Sequence, residues 1–241
     1  MIEFKGKTYW LIGASEGLGR ALARDLDNEG ARLVVSARSA DRLQSLTDEL
    51  SNARAVPFDV TDLDQVRDAV ARAGDVDGIV YIAGAYDPMR ATEWDSKSAM
   101  VMCNVNFIGA MNVMGEVMPA LTKKGRGDIT LIGSLAGYRG LPASVGYSAS
   151  KAAIVSLAET LRFDLKDTDI VVRIANPGFI KTRLTEKNSF KMPMLMSPDD
   201  AAKHVLKAMR KTRFRTDFPA PFSWGIRLLE YLPDLVVYRG K

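Results

Sequence analysis

Tyr147 and Lys151 bracket the run Tyr147-Ser148-Ala149-Ser150-Lys151. On a helix, side chains four residues apart are neighbours on one face. A phenol with a pKa of about 10 is a poor base near neutral pH. An adjacent ammonium favours the phenolate and lowers that value, bringing the group into range for proton transfer. The spacing alone is a frequent coincidence. Upstream, Ser134 follows Ile132-Gly133 at a strand end, where its hydroxyl can hydrogen-bond a substrate oxygen on which charge develops. The chain has one histidine, His204, and one cysteine, Cys103. A histidine-centred metal site, a Ser-His-Asp triad and an internal disulfide are therefore not expected, and both residues fall in helical stretches that suit structural roles.

A second chemical feature lies near the start. Gly13-Ala14-Ser15-Glu16-Gly17-Leu18-Gly19 directly follows the first apolar run and opens a helix. Glycines let the backbone turn tightly and approach a pyrophosphate, whose charge then rests on the helix N-terminus. No Lys-Ser/Thr pair follows the last glycine, so the turn is not a P-loop. A glycine-rich turn can also serve packing alone. The second apolar run ends Val35-Ser36-Ala37-Arg38-Ser39, with no carboxylate to grip a ribose 2′-hydroxyl. Arg38 can pair with a 2′-phosphate, which favours NADP(H) over NAD(H). The alternative is a surface arginine that merely starts a helix.

Short apolar runs at 8–13, 31–37, 53–58, 78–83, 128–133 and 170–175 read as strands. Several are apolar on both faces, as parallel strands covered on both sides must be. Helical stretches fall at 18–28, 40–50, 63–73, 93–123, 147–166 and from Pro198 to about Arg210. This alternation predicts an α/β protein: one Rossmann-like, doubly wound parallel sheet with helices on both faces, spanning 1–241 as a single domain. Segment 179–196 reads as a substrate-covering loop and 212–241 as a terminal cap.

Hydrophobic residues make up 47% of the 241 positions and charged residues 26%, which excludes disorder as the main state. No run approaches the ~18 apolar residues of a membrane span, and the start lacks a secretory pattern, so a cytoplasmic location is expected. Net charge is +4, and the basic residues around Lys203–Arg215 read as a solvated helix face rather than a nucleic-acid footprint. A small molecule is the expected partner. Peripheral membrane contact through 222–237 is an alternative use of the tail, because apolar residues there mix with Arg227.

Taken together, Gly13-x-x-x-Gly17-x-Gly19, Ser134 and Tyr147-x-x-x-Lys151 resemble the short-chain dehydrogenase/reductase family in order and spacing. Asn106, in Asn104-Val105-Asn106-Phe107, is similar to the family's catalytic asparagine. Pro177-Gly178-Phe179-Ile180-Lys181-Thr182 is similar to its cofactor-side segment, and Asp59-Val60 to the pair that meets adenine. The resemblance covers residues 5 to 182 and implies interconversion of a carbonyl and a secondary alcohol with NADP(H). It implies Tyr147 as acid/base, Lys151 binding the nicotinamide ribose and tuning Tyr147, Ser134 orienting the carbonyl, and Asn106 supporting a proton-relay water. The implied cofactor contacts are Gly13, Ser15, Glu16, Gly17, Leu18, Gly19, Arg38, Asp59, Val60, Ala83, Gly84, Tyr147, Lys151, Pro177, Gly178, Ile180 and Thr182, with no metal. A nucleotide-sensing or scaffolding protein is the alternative on this fold, and its mark is loss of catalytic residues.

Two departures stand out. The family's Asn-Asn-Ala-Gly reads Tyr81-Ile82-Ala83-Gly84, which lacks the sheet-stabilising asparagine, and a position often basic in NADP-preferring members is Glu16. The helix at 147–166 carries Ala152, Ile154, Val155, Ala158 and Phe163 on more than one side, which calls for burial beyond the sheet. The same helices form subunit contacts in the family, so a homodimer or homotetramer is expected. Met100, Met102, Met111, Met114 and Met118 suit core or interface packing. Met192, Met194, Leu195 and Met196 point either to an apolar substrate or to packing.

Overall fold

The computed structural model describes residues 2–188 and 190–237. Among these residues, seven parallel strands make one sheet in the order β3-β2-β1-β4-β5-β6-β7. They are β1 (Thr8–Ile12), β2 (Arg32–Ser36), β3 (Ala53–Ala55), β4 (Gly78–Tyr81), β5 (Arg126–Ile132), β6 (Asp169–Pro177) and β7 (Arg215–Phe218). The order reverses between β1 and β4, and in doubly wound sheets ligands bind beyond the strand ends at that point.

Side chains alternate across each strand, so β1 feeds two cores. Tyr9 and Leu11 pack on one face with α1 (Gly17–Asn28), α2 (Ala40–Thr47) and α7 (Pro198–Met209). Trp10 and Ile12 pack on the other with α3 (Leu63–Ala73), α5 (Gly109–Lys124) and α6 (Val145–Asp164). Helix starts follow local chemistry: Asp62 caps α3 through the amides of Asp64 and Gln65, and Ser197 caps α7 ahead of Pro198. Among the described residues no helix is long and apolar enough to cross a membrane.

The fold departs from the sequence expectation in two places that matter for the site. The stretch 93–123 is not one helix: α4 (Ser96–Cys103) is followed by a π-helical turn, Asn104–Ile108, before α5. A π turn inserts extra backbone into a helix and re-aims the side chains on it. The tail also contains β7, whose Arg215-Thr216-Asp217 lacks the apolar character of a strand and sits half-buried at the sheet edge. Beyond it lie α8 (Phe222–Leu229) and α9 (Asp234–Val237).

Candidate active site

A cleft of about 660 Å³ opens past the ends of the central strands. Its floor is the glycine turn. Gly13 has φ +100°, and a Cβ there would sit 2.4 Å from the Ala83 amide nitrogen, so a side chain would drive the turn off β4. Glu16 occupies the N-cap of α1 yet makes no side-chain cap hydrogen bond, and no acidic residue lies in the first helical turn. The first amides of α1 are thus left for an anion from elsewhere. Ser15, Gly17, Leu18, Gly19, Ala83 and Gly84 line the same cleft, with Pro177, Gly178, Ile180 and Thr182 opposite.

At one end stand Arg38, Asp59 and Val60. Arg38 is 75% exposed, with its guanidinium 4.0 Å from Asp59 Oδ2. At the middle are Ser134, Tyr147 and Lys151. Ser134 Oγ accepts from the Ala136 amide at 3.1 Å, and its hydroxyl hydrogen-bonds the Tyr147 phenol. Lys151 lies one turn along α6, is buried, and donates to the Ile132 carbonyl at 2.9 Å. Its Nζ lies 5.7 Å from the Tyr147 ring centroid. The expected acidified phenol is not what this packing produces. Burial pushes Tyr147 up to about 12, opposed by the Ser134 hydrogen bond and reinforced by Tyr86. Burial pulls Lys151 down to about 8. The cause is desolvation, which penalises phenolate and ammonium alike. Tyr147 accordingly keeps its proton near neutral pH.

Asn106 is not on the cleft wall. It is fully buried behind the wall, where Oδ1 accepts from the Ala85 amide at 2.6 Å. Its Nδ2 donates to the Ala85 carbonyl at 3.0 Å and to Ser150 Oγ at 2.9 Å. It joins the segment after β4 to α6, and a Cβ at Gly84 would lie 3.6 Å from Asn106 Oδ1 and 4.0 Å from Lys151 Nζ. The asparagine missing from the end of β4 is replaced by a different tie: the Tyr81 hydroxyl donates to the Val105 carbonyl, inside the π turn, at 2.6 Å.

The cleft also has an aromatic lining that the sequence did not reveal. Phe179, Phe190 and Phe222 line it with Ile226 from α8, the rings of Phe179–Phe190 and Phe179–Phe222 being 5.7 and 5.9 Å apart. Met192, Met194, Leu195 and Met196 lie outside the lining: Met196 packs against the core and Met194 and Leu195 face solvent. Tyr86, edge-on to Tyr147 at 4.9 Å, donates to Asn188 Oδ1 at 2.6 Å. Arg42 and Arg183 also line the cleft. Nothing in the sequence singles either out, because their neighbour Glu16 is remote from them in the chain. Among the described residues no group of three or more His, Cys, Asp or Glu side chains converges as a metal site would.

A doubly wound parallel sheet with a glycine turn at its switch point defines a nucleotide-binding architecture. The chain belongs to the short chain dehydrogenase family, whose sequence pattern matches residues 7–192. It is 34% identical to an uncharacterized oxidoreductase of Myxococcus xanthus (strain DK1622), over 97% of this chain and 96% of that one. An uncharacterized oxidoreductase of Staphylococcus haemolyticus is 28% identical over 87% of this chain and 93% of its own. A solved short chain dehydrogenase from Burkholderia cenocepacia, in complex with NADP, is similar with TM-score 0.88 and 26% identity over 98% of each chain. The protein is therefore an oxidoreductase of a family that works with a nicotinamide cofactor.

Proposed function

We propose that the protein interconverts a carbonyl and a secondary alcohol on a small, apolar substrate, with NADP(H) as its cofactor. The observation that carries this reading is the gathering of the Ser134 hydroxyl, the Tyr147 phenol and the Lys151 amine in one cleft with an uncapped helix N-terminus on a glycine turn. That turn suits a pyrophosphate: its glycines admit no side chain, and the first amides of α1 have no side-chain acceptor. Arg38 suits a 2′-phosphate, Asp59 and Val60 the adenine, and the Pro177–Thr182 segment the nicotinamide end. The NADP held by the Burkholderia relative is consistent with this choice.

When bound, nicotinamide supplies the hydride for reduction and accepts it for oxidation. The residues of this chain handle the oxygen and the proton. Ser134 and Tyr147 hydrogen-bond the carbonyl oxygen and orient it. As the carbonyl carbon gains hydride, the C=O π pair moves to oxygen and takes the phenolic proton of Tyr147, giving the alcohol. The phenolate left behind is stabilised by Lys151, and Asn106 supports the arrangement from behind the wall by holding the Ala85 backbone against Ser150 of α6. A phenol that holds its proton near neutral pH has that proton ready for the alkoxide oxygen formed in reduction. The aromatic wall of Phe179, Phe190 and Phe222 favours an apolar substrate.

The test is Tyr147→Phe, assayed by NADPH oxidation against steroids, acyl thioesters, sugars, quinones and simple aldehydes. General acid catalysis is worth about 10²–10⁴-fold, so turnover should fall below about a hundredth of native while NADPH still binds. Turnover above that level refutes the role of the phenol.

A further inference from the structure

We infer that Arg42 is a second ligand for the 2′-phosphate of NADP(H), and that Glu16 is the positioning residue that holds it at the cleft. The inference rests on the NADP(H) reading above. It begins from a residue that should oppose that cofactor. Glu16 stands at the N-cap of α1, inside the glycine turn, where a free carboxylate would compete with an anion for the helix amides. The structure turns it away from them. Glu16 Oε2 accepts from Arg42 Nη1 at 2.7 Å and Oε1 from Arg183 Nη2 at 2.7 Å. One carboxylate thus ties together the glycine turn, the first turn of α2 and the segment after β6, and two cations offset its charge.

Each guanidinium spends a single nitrogen on Glu16, and among the described residues neither has another recorded acceptor. A guanidinium carries five N–H donors, so both keep donors for a phosphate. Arg42 lines the cleft beside Arg38 and Ser39, and Ser39 caps α2 by accepting from the Arg42 amide. The cleft therefore meets a second helix N-terminus here, flanked by two arginines. Of the two, Arg38 is the looser: it is 75% exposed with a carboxylate at 4.0 Å, whereas Arg42 is 48% exposed and held at 2.7 Å. Three arginines against Glu16 and Asp59 leave this end of the cleft with positive charge for a dianion.

Titration of the purified full-length protein with NADPH, NADH, 2′-AMP and 5′-AMP, read by calorimetry, tests this without turnover. Arg42→Ala should weaken NADPH and 2′-AMP by about tenfold or more while NADH and 5′-AMP stay within about twofold, the intact NADH affinity reporting a folded site. Glu16→Gln should weaken NADPH in the native background and have no further effect in the Arg42→Ala background. An unchanged NADPH-to-NADH ratio in Arg42→Ala, alongside a collapsed ratio in Arg38→Ala, overturns this inference and leaves the NADP(H) reading standing. Unchanged or tighter NADPH binding in Glu16→Gln removes Glu16 from the role assigned to it. A native protein that binds NADH as tightly as NADPH overturns the NADP(H) reading itself.

Discussion

Lys151 spends its amine on the Ile132 carbonyl, and its surroundings hold it at about 8 against 10.5 for the free side chain. Between these two values the unfolded chain binds more protons than the folded one, so this group makes stability rise with pH across that window. The penalty for burying an ammonium is fully present below pH 8. Tyr147 acts in the opposite sense only above pH 10, where the free phenol ionises and the buried one does not. Urea unfolding at pH 7.5 and 9.5 should therefore show a native stability gain that shrinks in Lys151→Met; an identical gain in the variant would sink this account. The types and spacing of Ser134, Tyr147 and Lys151 are legible in the chain. Their ionisation is not, because it is set by burial, and the groups around them, Tyr86 and Ile132 included, arrive from other elements.

At the scale of elements, the π turn carries most of what periodicity missed. A continuous apolar stretch reads as one helix, and nothing in Asn104-Val105-Asn106-Phe107-Ile108 announces extra backbone. What locks the turn is a contact from another strand: the Tyr81 hydroxyl on the Val105 carbonyl. Gly109 makes room for it, since a Cβ there would lie 2.6 Å from that hydroxyl. Tyr81→Phe leaves a carbonyl without its donor and should cost about 1–2 kcal/mol, seen as a lower thermal midpoint with the fold retained. An unshifted midpoint would mean that the turn does not depend on the tie. β7 was hidden for a related reason. Its Asp217 accepts from the Tyr138 hydroxyl at 2.5 Å, from Asn176 Nδ2 at 2.8 Å and from Arg227 at 3.3 Å, so polar bonding rather than apolar alternation holds this strand.

Across the whole molecule, the alternation of strands and helices was readable because both faces of a parallel sheet are buried. The surface was readable only in part. Of the methionines at 100–114, Met102 and Met114 are core, whereas Met100 and Met111 are exposed beside Val101 and Ile108. Phe163 on α6 is 74% exposed. Exposed apolar side chains on these helices suit an interaction surface, and a second copy of the chain is the occupant we propose. Met111→Glu should shift the native protein to monomer mass in light scattering at micromolar concentration. A native chain that is already monomeric there ends the proposal. Trp224, Leu228, Tyr231 and Leu235 are also exposed along α8, α9 and the turn between them, the stretch read as an alternative membrane contact.

Phe222 and Ile226 belong to a helix that is translated after every strand of the sheet. The aromatic wall is thus completed by a segment that contributes nothing to the sheet. Rewriting that one late helix should retune which molecules are admitted, while the proposed apparatus of Ser134, Tyr147 and Lys151 stays as it is.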